Sequence, residues 1–132
     1  MTTSTPTPWT LPQPLPGVLD LGPGFDPEAL HRGLQALAGR NDVKALVVFG
    51  SRAGGGARAD SDLDLLVIGQ EEEIQPEAQI QRWQELRGAL GDVGRPVDLL
   101  VYGQQQAARL SGSRWHVLGR AARGGRVLYV AQ

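Results

Sequence analysis

The sequence predicts an α/β domain, in the looser sense an α+β one, with a small mixed β-sheet flanked by helices. Three observations carry this. Short β-branched apolar runs alternate along the chain with stretches of helical period, the pattern of a sheet covered by helices. The length of 132 residues suits one domain with a real core and is short for two. Apolar residues make up 41% and charged residues 20%, a globular composition with a formal charge of −1. Charge of that size makes no overall case for nucleic-acid or membrane attraction.

Residues 1–25 hold six prolines, with Trp9, Leu11 and Leu15 among few large apolar groups. They read as a proline-rich arm, disordered or extended, or lying along the domain or a partner. The domain proper is expected over 26–132. It opens at Asp26-Pro27-Glu28, an N-cap, a first-turn proline and a first-turn acid. Leu30, Leu34, Leu37 and Ala38 then keep helical spacing up to Gly39. Val43 to Phe49 is a buried strand by its β-branched content, and Leu63 to Ile68 is a second. Pro76 to Leu90 is a helix whose Ile80, Trp83, Leu86 and Leu90 share a face expected to be core. Pro96 to Tyr102 forms a third strand. Gln104 to Leu110 and Trp115 to Ala122 read as helical pieces, with Trp115 in the core, and Val127 to Val130 as a last strand.

The absence of cysteine excludes disulfides and thiolate metal sites. His31 and His116 are the only histidines and read as surface groups, so any metal must be held by oxygen. No apolar run approaches the roughly 18–20 residues of a spanning helix, and no signal peptide is evident, which points to the cytoplasm. Beyond Asp98 the chain has no acid but carries Arg109, Arg114, Arg120, Arg123 and Arg126. That stretch is either plain surface or a basic face for an acidic partner or nucleic acid. Glu71, Glu72 and Glu73 read as a solvated strand exit.

The loop GSRAGGGARADSDLDLLV, residues 50–67, invites a phosphate-loop reading. A Walker loop needs Gly-Lys-Ser/Thr, yet the only lysine, Lys44, lies upstream. A dinucleotide fingerprint needs a helix after its glycines, and here a strand follows. The carboxylates are more informative. Asp62 and Asp64 are two residues apart at the start of a strand, hence on one face and roughly 6.6 Å apart. Asp64 interrupts Leu63-Leu65-Leu66-Val67, and Asp98 interrupts Val97-Leu99-Leu100-Val101, where burial without a partner costs several kcal/mol. If the two strands are neighbours, Asp98 joins the pair, and such a trio repels unless a cation neutralises it. Magnesium or manganese suits that donor set. Asp60 reads as a turn residue.

Gly50-Ser51, ten intervening residues, Asp62-Leu63-Asp64 and then Asp98 in a strand resemble the nucleotidyltransferase superfamily of DNA polymerase beta, and more closely its minimal, MNT-type members. Phe49-Gly50-Ser51-Arg52-Ala53, Ala57-Arg58, Val97-Asp98-Leu99 and the close at Gly125-Arg126-Val127-Leu128-Tyr129 are similar to that group. Gly54 stands where an arginine is frequent there. The resemblance implies the polymerase-beta-like nucleotidyltransferase fold, with Asp62 and Asp64 holding two magnesium ions, manganese being the alternative. It implies that Asp98 completes the catalytic metal and helps deprotonate an acceptor hydroxyl. Gly50 and Ser51 would hold the β- and γ-phosphates of ATP, and Arg52 or Arg58 would neutralise the leaving group.

Three functions follow from the resemblance. The first is an antitoxin that moves AMP from ATP to a tyrosine of a HEPN-type RNase toxin encoded next door. The second is a small-molecule nucleotidyltransferase of the aminoglycoside type, and the third is a non-catalytic module that neutralises a partner by covering it. None calls for a membrane or for direct nucleic-acid binding.

Overall fold

The structure, a computed structural model, describes residues 7–132; residues 1–6 of the proline-rich arm lie outside the described residues. The elements run α1 (Pro27–Ala38), β1 (Val43–Phe49), a 3-10 turn (Gly50–Arg52), β2 (Leu63–Gly69), α2 (Pro76–Leu90), β3 (Val97–Tyr102), α3 (Gln104–Ser111), α4 (Val117–Gly124) and β4 (Arg126–Val130). The sheet order is β3-β2-β1-β4. β1 is antiparallel to β2 and to β4, while β2 and β3 are parallel, so the sheet is mixed as expected.

Local chemistry explains the boundaries. Asp26 caps α1, its Oδ1 accepting from the N–H groups of Glu28 at 3.1 Å and Ala29 at 3.3 Å. α2 begins on Pro76 and stops at Gly91, whose φ of +71° takes the chain out of the helix. Helices cover both sheet faces, which is why β1 and β2 are apolar runs and do not alternate. On one face Leu46, Val48, Leu63, Leu65, Val67, Leu99 and Val101 pack against Leu30, Leu34 and Leu37 of α1 and Leu86 and Leu90 of α2. On the other, Val47, Phe49, Leu66 and Ile68 pack against Ala107 of α3 and Leu118 and Ala121 of α4. α1 and α2 approach so closely that a Cβ on Gly33 would stand 2.3 Å from the Leu90 carbonyl oxygen.

Both sheet edges are covered. Residues 7–25 run along the domain without a helix. Gln13 forms a bridge to β4, its N–H donating to Val130 O at 2.9 Å and its O accepting from Val130 N–H at 2.8 Å, and Trp9 and Leu21 are buried. At the other edge, α2 side chains occupy the outward carbonyls of β3. Trp83 Nε1 donates to Leu99 O at 3.0 Å and Gln79 Nε2 to Val101 O at 2.8 Å.

That position corrects two core assignments. Ile80 is 71% exposed and Trp83 40% exposed, because α2 leans over the sheet edge and buries only Leu86 and Leu90 fully. Trp115, also expected in the core, is 87% exposed. It lies in the turn before α4, which starts only at Val117, where His116 Nδ1 accepts from Leu118 N–H at 3.1 Å.

Of the glutamates after β2, Glu72 and Glu73 are exposed as expected, whereas Glu71 is part of an ion-pair network. Arg82 binds Glu71 through both guanidinium ends and stands 3.5 Å from Asp42, which Arg40 holds at 2.9 and 2.8 Å. The hydrogen bonds from Arg40 and Arg82 pull the Asp42 and Glu71 carboxyls below their ordinary values of 3.8 and 4.5. Carboxyls lowered in the folded state add stability that is present above the ordinary range and lost as pH falls through their folded values. We expect Arg82→Ala to cost about 1 kcal/mol at pH 7 and to show a smaller loss on acidification below pH ~4 than the wild type. Urea unfolding across pH checks this, and equal acid dependence in both proteins would refute it.

Candidate active site

The site forms where β1 ends beside β2. Gly50 has φ of +72°, and a Cβ there would stand 2.3 Å from Asp64 Oδ2, so only glycine allows the turn to close over this carboxylate. The register places Asp64 opposite Phe49 of β1 on one side and opposite Asp98 of β3 on the other. With a side-chain period of two, Asp64 shares its face with Leu66 and Ile68, and Asp98 shares that face with Leu100 and Tyr102. Both therefore look to the side of α3 and α4. Ser51 is exposed on the adjoining turn.

Asp64 is half-buried and Asp98 exposed, and neither has a hydrogen-bonded or ion-paired partner among the described residues. Burial pushes the Asp64 carboxyl above its ordinary value, with the charges of Asp98 and then Asp62 adding to it. Asp62 precedes β2, its side chain 61% exposed and its Oδ1 3.8 Å from Arg95 Nη2. Among the described residues no group of three His, Asp or Glu side chains is gathered closely enough to hold an ion. Asp62 leans toward Arg95, which leaves Asp64 and Asp98 as the adjacent pair. Two unneutralised carboxylates of hard oxygen side by side suit a divalent cation such as magnesium.

The structure corrects the reading of Arg52 as a phosphate ligand. Its guanidinium is 1% exposed and turned inward. Nε donates to Ser61 O at 3.0 Å, Nη1 to Leu21 O at 2.8 Å and Pro23 O at 2.9 Å, and Nη2 to Arg58 O at 3.2 Å and Ser61 O at 2.6 Å. All five N–H groups are used, so none remains for a phosphate. The cation also lies 4.1 Å from the centre of the Phe25 ring. Arg52 thus ties residues 21–25 to both ends of the loop that separates Ser51 from Asp62. Arg58 stays exposed, and its N–H donates to Ser61 Oγ at 2.9 Å. Gly54, Gly55 and Gly56 form the outer tip of the loop, where a Cβ would meet nothing within 4 Å.

A cleft of about 400 Å³ opens at Asp64, lined by Phe49, Gly50, Asp64, Val117, Arg120 and Gly124. Arg120 was one of five late arginines with no role that the sequence singled out. Val117, Arg120 and Gly124 fall at i, i+3 and i+7, so their common helix face was legible; that it looks toward β2 was not. Arg95 had no sequence signal at all, because its link to Asp62 joins two separate loops.

Gly50→Ala is expected to displace the turn or the Asp64 carboxylate and to weaken divalent-cation binding at least about tenfold, through strain at a positive φ and a clash. Calorimetric titration with Mn²⁺ measures this, and unchanged affinity would refute the close-packing role of Gly50.

Among the described residues no helix is long and apolar enough to cross a membrane. A comparison with curated proteins gives no match. Among solved structures, the chain is similar to a crystal structure of a toxin-antitoxin with AMP-PNP, at 20% identity and TM-score 0.47, covering 80% of this chain and 73% of that one. It is also similar to a toxin-antitoxin MntA-HpeT mutant, at 18% identity and TM-score 0.46 with the same coverage. The family model described as Polymerase beta, Nucleotidyltransferase matches residues 34–114. That match spans more than half of the chain and takes in the Gly50-Ser51 turn, Asp62, Asp64 and Asp98, so the chain belongs to the polymerase beta nucleotidyltransferase family.

Proposed function

We propose that the cleft binds a nucleoside triphosphate, ATP by preference, together with a divalent cation, and that the protein transfers the nucleoside monophosphate to a hydroxyl on another protein. The observation that carries this is the pairing of Asp64 and Asp98 on neighbouring strands, with Asp64 and the glycine turn lining a cleft. Asp62, Asp64 and Asp98 would hold magnesium or manganese, and the bound cation would supply positive charge against the triphosphate. Gly50 backbone, Ser51 and the exposed Arg58 would steady the outer phosphates. The acceptor oxygen forms a bond to the α-phosphorus, and the bond from that phosphorus to the α,β-bridging oxygen breaks. Pyrophosphate leaves with the electron pair, and the hydroxyl proton passes to the Asp98 carboxylate, which is exposed and unpaired among the described residues.

A cleft of about 400 Å³ suits one nucleotide. The other cavities described lie away from it, at Arg40–Asp42, between the arm and β4, and beneath Gly17 and His31. The cleft is filled by one nucleotide, so the acceptor is best supplied by a protein docking over it. Together with the resemblance to minimal MNT-type chains, this favours a tyrosine of a HEPN-type toxin encoded next door, with the protein acting as its cytoplasmic antitoxin. Incubation with labelled ATP, magnesium and the neighbouring gene product, followed by mass spectrometry, tests it. AMP on a partner tyrosine is the expected result. Label on an added aminoglycoside, or partner binding with no label, would overturn the protein-acceptor reading.

A further inference from the structure

We propose that Arg120 of α4 is a nucleotide-binding residue that grips the β- or γ-phosphate from the side of the cleft opposite Asp64. This rests on the cleft being the nucleotide site. Buried Leu118 and Ala121 anchor α4 against the sheet, so packing on the far side of the helix, rather than any contact of its own, sets where Arg120 stands. Val117 and Gly124 flank it on the same face, an apolar wall and a residue without a side chain, leaving Arg120 as the only cationic residue lining the cleft among the described residues.

Three of the other four late arginines have side-chain partners, and the fourth, Arg114, is exposed and does not line the cleft. Arg109 reaches Glu73 at 3.5 Å, Arg123 donates to Arg114 O at 3.4 Å, and Arg126 donates to Asp20 O. The Arg120 side chain has no ion pair or hydrogen bond among the described residues, and it does not close onto Asp64 although both residues line the cleft. A guanidinium held apart from a carboxylate across an open cleft leaves room for a ligand that satisfies both: an anion for Arg120, with a cation for Asp64. A metal-bound polyphosphate has that dual character, and the guanidinium fork matches phosphate oxygens two at a time. The inward turn of Arg52 strengthens the assignment, since it leaves Arg58 as the one exposed arginine of the two that the sequence offered in the loop. Arg120 supplies a second cation from the far end of the chain.

Calorimetric titration of AMP, ADP and ATP in the presence of Mn²⁺ tests this on the full chain, on Arg120→Gln and Arg120→Lys, and on Arg114→Gln as a charge-matched control. Arg120→Gln should weaken ATP about 10- to 100-fold, the scale of one charge-assisted contact, leave AMP within about twofold, and keep its thermal midpoint. Arg120→Lys should recover part of the loss. ATP affinity unchanged in Arg120→Gln, an equal loss for AMP and ATP, or the same loss in Arg114→Gln would each overturn the assignment while leaving the cleft as the nucleotide site. A wild-type chain that binds no ATP with Mn²⁺ would instead overturn the nucleotide reading, and Arg120 with it.

Discussion

Asp64→Asn is expected to abolish nucleotidyl transfer and, at neutral pH, to make the cation-free protein more stable. The loss of transfer, at least about 10²–10³-fold, follows from removing a carboxylate that would hold the divalent cation against the triphosphate. The gain in stability follows from the ground state. Asp64 is half-buried beside Asp98 and near the charge of Asp62, and its carboxyl is raised above the ordinary 3.8 by burial first and by those charges second. A carboxyl raised in the folded state favours folding below its unfolded value, and that advantage is lost as pH rises through the folded value, where the ionised group opposes folding. Asparagine has the same shape without the charge. It should therefore add about 0.5–2 kcal/mol at pH 7, an advantage that vanishes toward pH 3.

Mn²⁺ should raise the melting midpoint of the wild type, since it binds the folded state alone, and should do so far less in the variant. Thermal melts at pH 4 and pH 7 with and without Mn²⁺, alongside a transfer assay, decide the matter. Transfer retained within tenfold, or a less stable variant at pH 7, would count against Asp64 as the charged centre of the site.

Arg52→Ala is expected to cost roughly 3–5 kcal/mol, the scale of removing one member of a buried charged network. The guanidinium makes five hydrogen bonds to four carbonyl oxygens. Removing it leaves those acceptors unsatisfied beside Phe25, out of a total stability of only about 5–15 kcal/mol for a typical domain. Lysine should not rescue it, because three donors on one nitrogen cannot reproduce a planar fork aimed at carbonyls in two segments. Hydrogen exchange should accelerate first in residues 19–25 and 58–62, the segments that Arg52 joins. Urea unfolding and amide exchange measure both effects; an unchanged midpoint with a protected arm would refute the latch. Since Ser61 precedes Asp62, the same variant should also loosen cation binding.

These two residues mark how far the sequence was legible. Asp64 and Asp98 stood out because a carboxylate in an apolar strand needs a reason, and the strands lay where β-branched runs placed them: Val43–Phe49 matches in both bounds. Helix α2 was also legible in both bounds from its first-turn proline and terminal glycine. Arg52 was misread because its neighbours along the chain resemble those of a phosphate ligand, while its actual acceptors, Leu21 and Pro23, lie about thirty residues upstream. Trp83 and Trp115 were misread for a related reason. Helical period identifies a face but not whether anything covers it.

The sequence by itself determined which side chains share a face: period-two alternation in the strands, heptad-like spacing in the helices, and a glycine where Asp64 leaves no room for a side chain. Only the tertiary structure decided which faces meet. Strand order set Asp98 beside Asp64, α4 brought Arg120 across the cleft, and the arm drew Arg52 inward. Faces are set by backbone geometry within a few residues, whereas contacts between distant segments are chosen by packing the whole core at once.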